Sequence, residues 1–239
     1  MNFTRTMAGS LVLIAVAMLF ATTGIGAAMA NAQPAGRAQP AEAGKVEVAM
    51  LTYGGSRVTS VCFSDKFLDL VRMETSIRVA KRFAGVDLGT DDVFDYPLVI
   101  MTGEGSFELT TDEVARLRSF LTRGGILLAS AGCSNERWNE SMRRTLTRVL
   151  PGAQPVDLGM DHPIFSSLYQ VGSLEGSRYR GAPQTLQGIE INGRLAVVYS
   201  PSGLNDTQNA ERGCCCCGGS EIRNARFINA NILVYALTR

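Results

Sequence analysis

The stretch 95–133, DYPLVIMTGEGSFELTTDEVARLRSFLTRGGILLASAGC, leaves the chain few choices of fold. Leu98, Val99, Ile100 and Met101 form an unbroken apolar run, the pattern of a strand covered on both faces, and Pro97, which has no amide hydrogen, stands where such a strand can begin. Thr110 with Glu113 three residues on makes a capping box, worth about 1 kcal/mol. Val114, Leu117, Phe120 and Leu121 then repeat at helical spacing, and Arg123 followed by Gly124-Gly125 closes the helix. Ile126 to Ala129 is a second apolar strand. Strand, helix and strand in this order predict a right-handed crossover between parallel strands. Open sheets of this kind bind ligands off the carboxyl ends of their strands, so the residues to examine are Thr102 to Ser106 and Gly132 to Asn135.

The flanking sequence extends this unit. Lys45 to Tyr53 predicts a first strand leaving through Gly54-Gly55. Ser64 is expected to cap a helix carrying Phe67, Leu68, Leu70, Val71 and Met73; Ile77 and Val79 then alternate as a strand, with helix continuing to Phe83 as the rival reading. Ser134 or Asn135 caps a helix that turns Trp138, Met142, Leu146 and Val149 inward and stops at Pro151-Gly152. Gln154 to Leu158 is a short strand candidate. Leu186 to Ile191 and Leu195 to Ser200 flank Asn192-Gly193, the favoured hairpin turn. A final helix from about Ile222 buries Ala225, Ile228, Ile232 and Tyr235, with Asn224 and Asn231 facing elsewhere. The expected fold is a three-layer α/β domain with a mostly parallel sheet plus an antiparallel hairpin.

With 239 residues, 46% of them hydrophobic, the chain can bury one sizeable core. Residues 1–32 read as an export signal: Arg5 precedes an apolar segment from Met7 to Phe20, and Ala28-Met29-Ala30 and Ala30-Asn31-Ala32 offer cleavage sites. The protein is therefore expected in the periplasm or outside the cell, with membrane attachment only if this segment stays uncleaved. Residues 33–44, QPAGRAQPAEAG, form a flexible linker, and 45–239 the folded domain. The chain holds 23 Lys plus Arg against 22 Asp plus Glu, so losing Arg5 with the signal leaves it neutral, which argues against nucleic-acid binding.

Six segments together carry a resemblance to a known family: FDYPLVIMTGEG (94–105), TTDEVARLRSFLTRGGILLA (110–129), the Arg143-Arg144 helix with Leu150-Pro151, DHPIF (161–165), VVYSP (197–201) and NILVYAL (231–237). Over roughly residues 46–238 the chain resembles the bacterial domain-of-unknown-function family 4159, whose members are similar to class I glutamine amidotransferases. The resemblance implies a flavodoxin-like domain and no established reaction. The family pattern often has a His where this chain has Glu104.

Cys133 follows a buried strand and precedes a helix, where backbone amides favour a thiolate, and amidotransferases keep their nucleophile at that position. The Gly-x-Cys-x-Gly elbow and the His-x-Glu pair of those enzymes are missing, and the only histidine, His162, is followed by Pro163 and Ile164. His162 has a structural reading too, as a turn residue bonded to backbone. Glu104 between Gly103 and Gly105 is either a carboxylate of the crevice or a solvated turn residue. Ligand contacts are expected from Gly103, Glu104, Gly105, Ser134 and Asn135, and catalytic groups, if any, are Cys133, His162 and Glu104. Cys214, Cys215, Cys216 and Cys217 are adjacent, which disfavours a self-contained zinc site. Two of them with Cys133 and either Cys62 or His162 could hold Zn or Cu(I); export favours up to three disulfides instead, for example Cys62 and Cys133 each joined to one cysteine of the run. No dinucleotide fingerprint is present and no cofactor is expected. The residues thus favour an exported, non-enzymatic binding or scaffold module with a protein or small-molecule partner in the cell envelope. The alternatives are a thiol-dependent hydrolase and a metal or redox site.

Overall fold

The computed structural model describes residues 44–55, 62–176, 184–210 and 221–239. The expected signal, nearly all of the linker, and Cys214 to Cys217 lie outside them. Among the described residues the strands are β1 (Val48–Thr52), β2 (Ala84–Asp87), β3 (Leu98–Gly103), β4 (Ile126–Ala131), β5 (Val156–Asp157), β6 (Gln187–Ile191) and β7 (Arg194–Ser200). The helices are α1 (Phe67–Glu74), α2 (Thr111–Thr122), α3 (Glu136–Val149) and α4 (Ala225–Thr238). The strands form one sheet in the order β2-β1-β3-β4-β7-β6-β5. β2, β1, β3, β4 and β7 pair in parallel, while β6 and β5 run antiparallel. The first five places follow the flavodoxin order, with β7 in the fifth.

Alternation along the central strands divides the core into two layers. Val48, Met50, Leu98, Ile100, Ile126 and Leu128 point to one side and pack with α1 and α4. Ala49, Leu51, Val99, Met101, Leu127 and Ala129 point to the other and meet α2 and α3. A strand buried on both faces must be apolar at every position, which is what the runs in β3 and β4 supply. On β7 the alternation slips: Ala196 and Val197 both face the α2/α3 layer. The pairing shifts there, Ile189 facing Val197 and Glu190 facing Leu195, so Ala196 is the extra residue of a bulge. The hairpin turn has Asn192 and Gly193 both at positive φ, +53° and +72°, as a type I′ turn requires.

Three local expectations need correction. The alternating Ile77 and Val79 do not make a strand; Val79 forms a single bridge to Val46, and the edge strand is β2, which pairs with β1. Ser64 does not cap α1, whose N-cap position is Lys66 without a side-chain bond; Ser64 Oγ accepts from Lys66 N (3.2 Å) and donates to the Asn209 carbonyl (3.0 Å). Asn231 is fully buried, its Oδ1 accepting from the amides of Leu168 and Tyr169 and its Nδ2 donating to the Tyr169 carbonyl. An asparagine can sit inside the core when all its polar atoms are paired. No helix among the described residues is long and apolar enough to cross a membrane.

Candidate functional site

The carboxyl ends of β3, β4 and β7 are tied by one buried side chain, Asn205. Its Oδ1 accepts from Thr102 Oγ1 (3.2 Å) on β3 and from Ser130 Oγ (2.9 Å) on β4. Its Nδ2 donates to the Ala131 carbonyl (2.9 Å) and to Glu221 Oε1 (2.8 Å). Its carbonyl accepts from Ser64 N (2.8 Å), which brings in the segment before α1. An amide side chain with two donors and a two-lone-pair acceptor is saturated by this arrangement. Ser130 Oγ also accepts from Leu204 N (2.8 Å). Sequence reasoning missed Asn205; the signal was its place in Gly203-Leu204-Asn205-Asp206, just beyond the apolar end of β7, where the strand-end rule applies as it does to β3 and β4.

The crevice between the ends of β1 and β3, the switch point of this topology, is filled by aromatics. Trp138 Nε1 donates to Tyr53 Oη (2.8 Å), which donates to the Thr102 carbonyl (2.9 Å). Phe107 packs on both rings, at 4.9 Å from Tyr53 and 5.7 Å from Trp138. Burial pushes the Tyr53 hydroxyl far above its ordinary range, so it serves here as a neutral donor. Glu113, 4% exposed, completes the capping box with Thr110 and also accepts from Gly54 N (2.8 Å), fixing the exit of β1 to the start of α2.

The open position lies one strand along, between the turns that follow β3 and β4. Asn135 caps α3 by accepting from Trp138 N (3.0 Å), and the same Oδ1 accepts from Gly105 N (3.1 Å). Ser134 Oγ donates to the Ser202 carbonyl (2.6 Å). These bonds clamp the two predicted loops together and hold both to the residues after β7. A Cβ on Gly132 would stand 2.9 Å from the Gly103 carbonyl oxygen, so the backbones touch at a distance only glycine allows. Cys133 and Ser134 are both left-handed, with φ of +49° and +53°, a conformation that costs non-glycine residues energy and persists only where the surroundings enforce it. The Cys133 Sγ is thereby set 3.6 Å from Oε1 of the exposed Glu104, to which it donates.

His162 is not brought to Cys133. Its Nδ1 accepts from Ile164 N (3.1 Å), its Nε2 lies 3.8 Å from Glu190 Oε1, and its ring is 5.8 Å from that of Tyr235. Glu190 faces Leu195, whereas Ser130, just before Cys133, faces Ser200, so the two sites are separated by roughly 16 Å of strand. The imidazole pKa is lowered by burial, which outweighs Glu190 and Asp161. His162 therefore accepts a backbone amide as a neutral ring, the structural role of a turn residue bonded to backbone. Cys62 is buried, 2% exposed, beside the segment that bonds Asn205 and Asn209. Among the described residues no group of three or more His, Cys, Asp and Glu is placed to hold a metal ion.

Next to Asn205 stands Asp206, 4% exposed and left-handed at φ +53°. Its Oδ1 accepts from Asn209 Nδ2 (2.8 Å), while its Oδ2 is buried without a hydrogen-bond partner among the described residues. Burial pushes this carboxyl above the usual range.

With this geometry in hand, comparison with known families finds one whose description is "Domain of unknown function (DUF4159)", matching residues 47–237. The chain belongs to this family. The match spans β1 to the last turn of α4 and so contains every group of the site just described. No curated protein matches the chain. The family description carries no function.

Proposed function

We propose that this DUF4159 protein is an exported, non-enzymatic binding module of the cell envelope, and that its ligand surface is the pair of clamped turns at 103–105 and 133–135. The observation that carries the reading is the clamp: Asn135 and Gly132 hold the two turns in fixed register, so that Glu104 and Cys133 are presented side by side on a surface that needs no ordering when a ligand arrives. Glu104 offers a carboxylate acceptor to a donor-bearing ligand such as an amine or amide. A catalytic cysteine needs a base and an orienting group, and Cys133 has instead a carboxylate beside it, which disfavours the thiolate. We also propose that the signal at 1–32 is removed on export and that Cys62 is joined by a disulfide to one cysteine of the 214–217 run. Support comes from the position of Cys62, buried beside the segment whose Ser64 bonds Asn205 and Asn209, residues that shortly precede the run in sequence.

One observation favours a second reading, a thiol-dependent hydrolase. Cys133 sits on a left-handed strand-to-helix turn, the kind of bend that exposes the nucleophile in elbow-type hydrolases. Alkylation separates the two. Under the binding reading, Cys133 of the folded protein reacts with iodoacetamide at pH 7.5 no faster than glutathione, Glu104→Gln raises that rate roughly 3- to 10-fold, and fragment amines first move the NMR amide signals of Gly103, Glu104, Gly105 and Ser134. A wild-type Cys133 reacting more than about ten times faster than glutathione would transfer the site to the hydrolase reading. A fragment set that moves none of those signals would remove the binding surface.

A further inference from the structure

The opposite edge of the sheet holds a cavity of about 530 Å³, within the range of small-molecule sites. It opens where β1, β3 and β4 begin: Lys45 to Glu47 lead into β1, Phe94 to Pro97 into β3, and Gly124-Gly125 into β4. The last turn of α4 contributes Ala236 and Leu237, and the end of α2 contributes Phe120. Three aromatic rings therefore line it, those of Phe94, Tyr96 and Phe120. Phe94 is 40% exposed, unusual for a residue of that size, and its ring lies 6.3 Å from that of Phe120.

The electrostatics of this cavity have a sign. Two helices, α2 and α4, end at it; the Phe120 and Leu121 carbonyls of α2 accept from Gly125 N and Gly124 N, and Arg194 donates to the Leu121 carbonyl, so the sign is set by the side chains of the wall. Glu47 and Asp95 line it directly. The Tyr96 hydroxyl is pushed up first by burial and then by Glu47, Asp95, Asp91 and Asp92, every charged contributor being acidic. Against these stand Lys45, Arg123 and, behind the wall, Arg194, which is held on the Gly125 and Leu121 carbonyls. Lys45 and Glu47 each already have a partner, which leaves Asp95 as the acidic group of the wall, and Arg123 lies with its guanidinium 5.1 Å from the centre of the Phe94 ring. That contact demonstrates the chemistry of the wall: Phe94 already accepts a cation on its face.

We propose that this amino-edge cavity is a binding site for a small organic cation, an alkylated or aromatic ammonium ion, stacked against Phe94 and Tyr96 with Asp95 as its counter-charge. The volume and the aromatic lining suit an organic ion, since a bare metal ion would need several converging oxygen ligands and far less space. The proposal is independent of the carboxyl-edge reading, because the two share no lining residue.

Isothermal titration of the purified protein with benzyltrimethylammonium chloride, at ionic strength matched with sodium chloride, tests it, with sodium benzoate as an anion of similar size. Saturable binding of the ammonium ion and at least a tenfold weaker response to benzoate are expected. Phe94→Ala should weaken ammonium binding roughly tenfold, and Asp95→Asn about threefold, in line with a partly desolvated cation–π contact and an exposed carboxylate. Both side chains are exposed, so both variants fold. Absence of saturation, benzoate binding as tightly as the ammonium ion, or a Phe94→Ala protein that binds as the wild type does would each overturn the assignment.

Discussion

At the carboxyl ends of β3, β4 and β7 the polar side chains are buried and bonded to one another, while at the amino ends of β1, β3 and β4 the charged side chains ring a cavity open to solvent. The two edges belong to the same strands, so the contrast lies in the loops. At the carboxyl edge, glycine allows backbones to touch: a Cβ on Gly132 would be 2.9 Å from the Gly103 oxygen, and one on Gly203 2.5 Å from that of Ala131. Close backbones expel water, and every polar group left there must find a protein partner. At the amino edge Phe94 and Arg123 are exposed to solvent. The carboxyl edge holds the fold in register and offers a ligand only the surface of its clamped turns; the amino edge has an open cavity.

The comparison is broken most directly at Asn205. Asn205→Ala removes four side-chain hydrogen bonds to groups that stay buried. Stranded buried partners cost on the order of 1–3 kcal/mol each where they cannot relax, so a loss of about 4 kcal/mol and a fall in Tm of roughly 10 °C are expected by calorimetry. A loss below about 1 kcal/mol would mean that water replaces the side chain and that the edge is wetter than its burial implies.

The legibility of the sequence follows the same contrast. β1, β3, β4 and the hairpin were readable because apolar runs and Asn-Gly are local signals. β2 was not: Ala-Gly-Val-Asp has no pattern of its own and becomes a strand only by pairing Ala84 to Asp87 with Ala49 to Thr52. The turns at 103–105 and 132–135 were found because strand order dictates where ligands approach, and the capping roles of Thr110 and Asn135 were local too. Asn205 was invisible because its partners at Thr102 and Ser130 lie 103 and 75 residues away, and an isolated asparagine in a loop reads as a turn residue. The pairing of Cys133 with His162 failed for a related reason: scarcity of histidine drew attention to one residue, and only the antiparallel direction of β6 shows that it sits toward the other end of the sheet.

A smaller effect, of opposite sign, is expected at Asp206. Its carboxyl is raised in the folded protein by burial, and one oxygen has no hydrogen-bond partner among the described residues. The folded state then holds the proton more tightly than the unfolded chain, so the stability this group contributes is present at low pH and is lost as pH rises from the ordinary carboxyl value near 3.8 through the raised one. Asp206→Asn keeps an acceptor for Asn209, tolerates the left-handed backbone and carries no charge. The variant should gain about 1 kcal/mol at pH 7, seen as a Tm higher by roughly 2–4 °C, with the gain vanishing near pH 4. A lower Tm at pH 7 would show that Asn209, Arg226 and Gln208 stabilise the ionised Asp206 by more than burial destabilises it.

The smallest effect belongs to the amino edge, and it decides whether the two edges are separate. Arg123→Ala removes an exposed guanidinium from the face of Phe94. A solvated contact of this kind contributes about 0.5 kcal/mol, so Tm should move by no more than roughly 2 °C. The informative measurement is the double variant with Asn205→Ala. The Asn205 bonds converge at the ends of β3 and β4, and Arg123 lies just before the start of β4, so the two positions are separated by the length of that strand and share no partner. Substitutions so placed add to within about 0.5 kcal/mol. A double variant that loses clearly more or less than the sum would mean that strain at the carboxyl edge is transmitted along β4 to the cavity, and ligand binding at one edge would then be felt at the other.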